Sequence, residues 1–238
     1  MNSQFIQGIE IDWNRINKGS YLRGIEALKG IKELKFYSPI TFFVGDNGSG
    51  KSTLLEAVAI AYGFNPEGGT KNYLFSTYDS HSELCKAMKI VRGFRKADWG
   101  YFLRAESFYN VATKEEEYSD LVHPSEKYHE KSHGESFLAI AQKQLKPKGV
   151  YIFDEPEAAL SPQRQLTLLL EIYECAKKGS QFIIITHSPI LLGLPGAEIF
   201  TFNDGVLHTC KYEETDSYLV TEMFINNRKQ ILDRLLQS

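Results

Sequence analysis

The stretch Gly45-Asp46-Asn47-Gly48-Ser49-Gly50-Lys51-Ser52 constrains this chain more than any other. It fits the phosphate-loop (P-loop) pattern G-x-x-x-x-G-K-[ST] in full. An apolar run, ITFFV (residues 40–44), precedes it, and STLLEAVAIAY (52–62), rich in helix formers, follows. A strand, a glycine loop and a helix in that order turn backbone N–H groups inward toward a helix N-terminus, which suits a polyphosphate. The candidate nucleotide-binding residues are Gly45, Asp46, Asn47, Gly48, Ser49, Gly50, Lys51, Ser52 and Thr53. Lys51 would reach the β- and γ-phosphates, and Ser52 would ligate Mg²⁺.

The rest of the chain supplies a fold for this unit. Short apolar runs at 150–153 and 182–186 (FIIIT) read as buried strands, and 5–11, 33–36 and 100–108 as further strands. Helical patterns lie at 137–145, 162–178 and 215–236, the last as a closing helix. Ser161 is placed to cap the second of these, with Pro162 in its first turn and Gly179 after its end. Residues 84–92 fit a strand or a helix. Residues 198–202 and 206–211 read as a hairpin around Asn203-Asp204-Gly205. Alternating strands and helices predict an α/β P-loop NTPase: a mainly parallel central sheet, helices on both faces and an antiparallel β addition. No linker or repeat divides the 238 residues, so one domain is expected, with 110–131 as a charged lid or loop.

Composition removes several classes. Hydrophobic residues are 42% and the net charge is −3, so the chain has material for a core and is not held on nucleic acid by overall charge. No apolar run approaches the roughly 20 residues that span a bilayer, and residues 1–10 do not resemble a signal peptide. Cys85, Cys175 and Cys210 lack metal-site or disulfide-framework spacing. A cytoplasmic protein without direct membrane insertion is expected. His129 and His133 are four apart, but nothing beside them completes a zinc site.

Two strand ends carry candidate chemistry. VYIF (150–153) runs into Asp154 and Glu155, and FIIIT runs into His187 and Ser188. Acids at the C-terminal end of a buried parallel strand face the ligand edge of the sheet. Asp154 is therefore the Mg²⁺-side acid, Glu155 the group that polarises a water, and His187 a hydrogen-bonding partner of a γ-phosphate or of that water.

With these residues in this order, the chain resembles the head domain of ABC-type ATPases. It is most similar to the SMC-like branch and to small free-standing bacterial ATPases of the AAA/ABC kind. Lys131-Ser132-His133-Gly134-Glu135-Ser136 resembles the family's L-S-G-G-Q signature, with Lys131, His133 and Glu135 as departures. Ser132-x-x-Glu135 is also an ordinary capping box, and the two readings are compatible. DEPEAALS (154–161) resembles the segment after the acids, with Ser161 where Asp is usual. Glu106 stands where the resemblance places a glutamine, as a further Mg²⁺ contact or as a strand-end acid paired with Arg104. Tyr21 and Tyr37 are candidates for adenine stacking, and Arg23 for a phosphate contact.

The resemblance implies ATP and Mg²⁺ as ligands and ATP hydrolysis as the activity. It implies a head-to-tail homodimer in which Ser132, His133, Gly134 and Glu135 of one copy close over the nucleotide of the other. The short interval from 106 to 132 excludes a long coiled coil and leaves little room for a transporter's coupling subdomain. A nucleic-acid or protein partner, in repair or defence, is the expectation. The alternatives are a transporter's energising subunit and a nucleotide sensor with little turnover. Lys86, Lys89, Arg92, Arg95, Lys96 and Arg104, with Asp98 as the one acid among them, form either a nucleic-acid patch or a solvated surface.

Overall fold

A computed structural model describes residues 4–70, 82–104 and 133–236. Its strands are β1 (Ile6–Ile11), β2 (Glu33–Lys35), β3 (Ile40–Val44), β4 (Gly69–Thr70), β5 (Met88–Arg92), β6 (Trp99–Arg104), β7 (Gly149–Asp154), β8 (Gln181–Ile185), β9 (Glu198–Thr201) and β10 (His208–Cys210). The α-helices are α1 (Glu26–Lys29), α2 (Lys51–Tyr62), α3 (Leu84–Ala87), α4 (His133–Gln144), α5 (Pro162–Lys177), α6 (Pro189–Leu192) and α7 (Asp216–Leu236).

Among the described residues the strands form two sheets, one ordered β10-β9-β3-β8-β7-β6-β4 and the other β2-β1-β5. From β9 to β6 every neighbouring pair in the larger sheet is parallel, and the edge strands β10 and β4 are antiparallel. The smaller sheet is antiparallel throughout. The expected fold class is the one observed.

Alternation along the central strands decides which layer each side chain joins. Val150, Ile152, Ile183 and Ile185 face α2 and the smaller sheet. Tyr151, Phe153, Phe182 and Ile184 face α4, α5 and α6. All eight are buried, which is why these runs read as continuously apolar. On the second face Tyr151 stacks on Phe182 at 4.8 Å between centroids, and Phe153 meets Phe182 edge-on at 5.9 Å. The two sheets are joined by Gln181, a buried polar residue in β8. Its amide donates to Ile6 O and its carbonyl accepts Ile6 N–H, both at 2.8 Å.

Three sequence expectations change. Residues 84–92 are neither all strand nor all helix: α3 ends at Ala87 and β5 begins at Met88. The strand expected at 100–108 begins at Trp99 and is described only to Arg104. The helix at the chain's end does not close a core. No residue of α7 is buried, Asn227 kinks it at φ −127°, and Leu219, Val220, Met223 and Phe224 remain exposed. The expected α5 cap is present: Ser161 Oγ accepts the Arg164 N–H at 3.4 Å. The segment 110–131 lies outside the described residues.

Candidate functional site

Three adjacent parallel strands build the site. The glycine loop follows β3, His187 follows β8, and Asp154 and Glu155 end β7. Because β8 lies between β3 and β7, residues more than 100 positions apart in sequence meet at one sheet edge.

The loop needs its glycines. Gly45 has φ 137° and Gly50 φ 98°, left-handed values that side chains rarely adopt. A Cβ on Gly50 would also lie 2.7 Å from Ile25 Cγ2. Gly50 is the N-cap of α2 and no side chain caps that helix start. The first amides of a helix have no intrahelical partner, so this end is electropositive and suits an anion. Lys51 is buried, and its Nζ donates to Gly45 O at 2.6 Å and Asp46 O at 2.7 Å. Burial lowers the Lys51 pKa, and Glu155, Asp46 and Asp154 pull it partly back. Its ammonium is thus held in place by carbonyls a polyphosphate would replace.

The two residues expected on the Mg²⁺ side are in contact: Ser52 Oγ donates to Asp154 Oδ1 at 3.4 Å. A hydroxyl and a carboxylate side by side at the loop's edge are hard oxygen ligands, a set that fits Mg²⁺. Arg104 flanks them, with Nη1 2.8 Å from Glu56 Oε2 and Nε 4.0 Å from Asp154 Oδ2. Arg104 thus pairs with an acid of α2.

Glu155 has φ 50° and ψ 55°, a left-handed backbone in a non-glycine residue. Strained backbone of this kind costs on the order of 1–3 kcal/mol and concentrates at functional sites. It turns the chain straight after Asp154, and the Glu155 N–H donates to Ile185 O at 3.0 Å. His187 Nε2 then lies 3.8 Å from Glu155 Oε1. A cleft of about 530 Å³ opens between the loop and this pair, lined among others by Gly45, Asn47, Glu155, His187 and Asn203. A second cleft of about 330 Å³ lies along the loop, against Ile25, Ala27, Gly48 and Phe202.

The signature-like segment is described in part. Ser132 and the side chain of His133 lie outside the described residues, as does Glu106. Gly134 is buried at the start of α4, where a Cβ would lie 2.5 Å from Ala159 O and 2.8 Å from Arg164 Nη1. Glu135 is exposed and accepts from Arg164 Nη2 at 2.9 Å. The start of α4 thus sits on the 3₁₀ turn Pro156–Ala159 that follows Glu155.

Other candidates are displaced. Arg23 is a structural clamp, donating to the carbonyls of Trp13, Ile16 and Asn17 at 2.6, 2.8 and 3.0 Å respectively. Tyr37 stands at the opposite sheet edge, its N–H on Glu198 Oε2 at 3.2 Å. Tyr21 is exposed and lines neither cleft described above. Within the basic run, Lys89 pairs with Glu10, while Arg92 lies over Tyr62 and Arg95 over Phe5. Sequence reasoning gave no role to Glu157, which accepts the His187 backbone N–H at 2.5 Å. It also missed Asn203, which donates to Asp216 Oδ2 at 2.5 Å beside the loop. Glu157 stands inside the quoted DEPEAALS run; nothing in the sequence pointed to Asn203 beyond its turn.

A parallel α/β sheet with a P-loop, an acid pair and a histidine at its C-terminal edge defines a P-loop NTPase of the ABC kind. Comparison with known proteins agrees. The chain is 30% identical over 228 residues to the energy-coupling factor transporter ATP-binding protein EcfA of Methanosphaera stadtmanae, covering 85% of this chain and 81% of that protein. The chain belongs to the ABC-type ATP-binding protein family. A family model described as "AAA domain, putative AbiEii toxin, Type IV TA system" matches residues 79–193. Solved structures similar to it include an ATP-binding cassette of an ABC transporter (20% identity, TM-score 0.43, 82% of this chain and 89% of that one). Another is the SMC head domain from Thermotoga maritima (16% identity, TM-score 0.42, 75% and 92%). No helix among the described residues is long and apolar enough to cross a membrane.

Proposed function

We propose that this chain is an ATP-hydrolysing, ABC-type molecular switch. The observation that carries the reading is the convergence, over one glycine loop, of Lys51, the Ser52–Asp154 pair and the Glu155–His187 pair. Gly45 to Thr53 would bind the phosphates of ATP, with Lys51 leaving its carbonyls to meet the terminal one. Ser52 and Asp154 would hold Mg²⁺, with Glu106 as a further candidate ligand. When bound, the cation neutralises charge on the phosphate oxygens. Glu155 would take the proton of the attacking water, and His187 would donate a hydrogen bond beside it. Most of the rate enhancement would come from such fixed donors in a closed site.

Closure requires a second copy in this reading, with Ser132, His133, Gly134 and Glu135 supplied across the interface. Within one copy, Gly134 is seated on the turn after Glu155, which places the start of α4 beside the hydrolytic pair's strand end. Phosphate release with Mg·ATP tests the proposal. Lys51→Ala should abolish release, and Glu155→Gln should retain ATP and accumulate a dimer on a sizing column. Release unaffected by Lys51→Ala, or a Glu155→Gln variant monomeric at saturating ATP, would overturn it.

What the switch drives divides into two readings. A free cytoplasmic head working with a nucleic-acid or protein partner is supported by the short 106–132 interval. An energising subunit of a membrane transporter is favoured by the name of the Methanosphaera relative. Affinity capture from membranes separates them: co-purification of a multispanning protein selects the second.

A further inference from the structure

Glu157 lies in the turn Pro156–Ala159, two residues beyond Glu155. The turn is held by its own backbone: Ala158 N–H donates to Glu155 O at 3.1 Å and Leu160 N–H to Glu157 O at 2.8 Å. From this base the Glu157 side chain reaches from the end of β7 to the end of β8, where Oε1 accepts the His187 N–H at 2.5 Å. The residue after His187 is fixed independently, because Ser188 N–H donates to Thr186 Oγ1 at 3.0 Å and Ser188 Oγ to Gln165 Oε1 at 2.6 Å. His187 is therefore pinned at a tight turn, and Glu157 takes its one backbone donor.

A carboxylate is an expensive acceptor in such a place. Burial disfavours its charged form, and burial does push the Glu157 carboxyl above the usual range, with the His187 N–H pulling it partly back. A main-chain carbonyl would satisfy an N–H without that cost. What this side chain adds is reach: its carboxyl oxygen meets the His187 N–H at 2.5 Å from the neighbouring strand's turn. It spans the two strand ends that carry Glu155 and His187, whose side chains face each other across 3.8 Å.

We propose that Glu157 is a positioning residue for hydrolysis: it locks the His187 turn so that the imidazole stays opposed to Glu155. The proposal rests on the reading of Glu155 and His187 as the hydrolytic pair. It predicts a split between binding and turnover. Glu157→Ala should leave affinity for a fluorescent ATP analogue within about 2-fold and lower kcat by about 10- to 100-fold, as a displacement of order 1 Å does. Glu157→Gln keeps an acceptor of the same reach and should restore most of kcat. Glu157→Asp keeps the charge but is one methylene short, and should resemble Ala; it also replaces Ala should that variant fail to fold.

A double-mutant cycle isolates the route. Glu157→Ala added to His187→Ala should slow turnover little further, because the group it positions is gone. An equal loss in both backgrounds overturns the proposal. The second readout needs no turnover. The His187 amide proton of the nucleotide-free protein should resonate far downfield, stay there in Glu157→Gln, and move upfield in Glu157→Ala. An unmoved resonance in Glu157→Ala also overturns it. A wild-type protein that shows the resonance pattern but releases no phosphate would strike the hydrolytic reading alone.

Discussion

The two sheets treat ionisable side chains in opposite ways. At the C-terminal edge of the large parallel sheet, Lys51, Asp154, Glu155, Glu157 and His187 come from three separate stretches and gather at adjacent strand ends, with Glu155 and His187 lining the cleft there. In and just after β5 of the small antiparallel sheet, charges close in sequence each meet a different partner. Lys89 reaches across to Glu10 at 2.9 Å, Arg92 covers the Tyr62 ring, and Arg95 covers Phe5. Density of charge along a chain is thus a poor guide to density in space. Parallel pairing gathers strand ends by topology, whereas antiparallel neighbours share charge locally across the pleat.

That contrast is open to breakage at several points. The largest effect should come from the parallel sheet's core. Phe182→Ala removes a ring packed on Tyr151 and Phe153 and should destabilise by about 3–5 kcal/mol in urea unfolding, without altering the loop's sequence. Next is the tie between the sheets. Gln181→Leu leaves the buried Ile6 N–H and C=O without their partner, and each such group costs about 1–3 kcal/mol. The same unfolding measurement reads that loss, and amide exchange should show β1 opening before β8.

A smaller, pH-dependent effect belongs to Glu157. Its folded pKa is raised, so the stability it allows is fully present below the unfolded carboxylate value, about 4.3, and is lost as pH rises through the folded value. Glu157→Gln should therefore melt above wild type at pH 7.5, with the gap closing toward pH 4. Last comes Lys89→Ala. Its pair is exposed, with side chains 74% and 47% accessible, so the change should stay within about 0.5 kcal/mol. A large loss there would break the comparison.

The parallel sheet was legible because its signals are redundant. FIIIT and VYIF are too apolar for a solvent face, and each ends in a polar residue that names the chemistry. The loop's glycines announce a backbone that Cβ atoms forbid. Arg23 and the residues from Lys86 to Arg104 were ambiguous in the sequence for a physical reason. A guanidinium satisfies backbone carbonyls and ring faces as well as phosphates, and sequence does not say which it meets. Glu157 was hidden differently, since a third acid in DEPE reads as surface until β8 is laid beside β7. In α7 the apolar spacing is real, but a helical period says nothing about whether a neighbour is there to receive it.

The position of β3 has a consequence for biosynthesis. Ile40–Val44 pairs with Gln181–Ile185 on one side and Glu198–Thr201 on the other. The loop at 45–52 therefore leaves the ribosome long before either flank exists. At roughly 5–20 residues per second the wait for β8 is on the order of ten seconds. During translation the nascent chain carries its most recognisable motif without the strands that flank it, and the site waits for β7, β8 and β9 to be made.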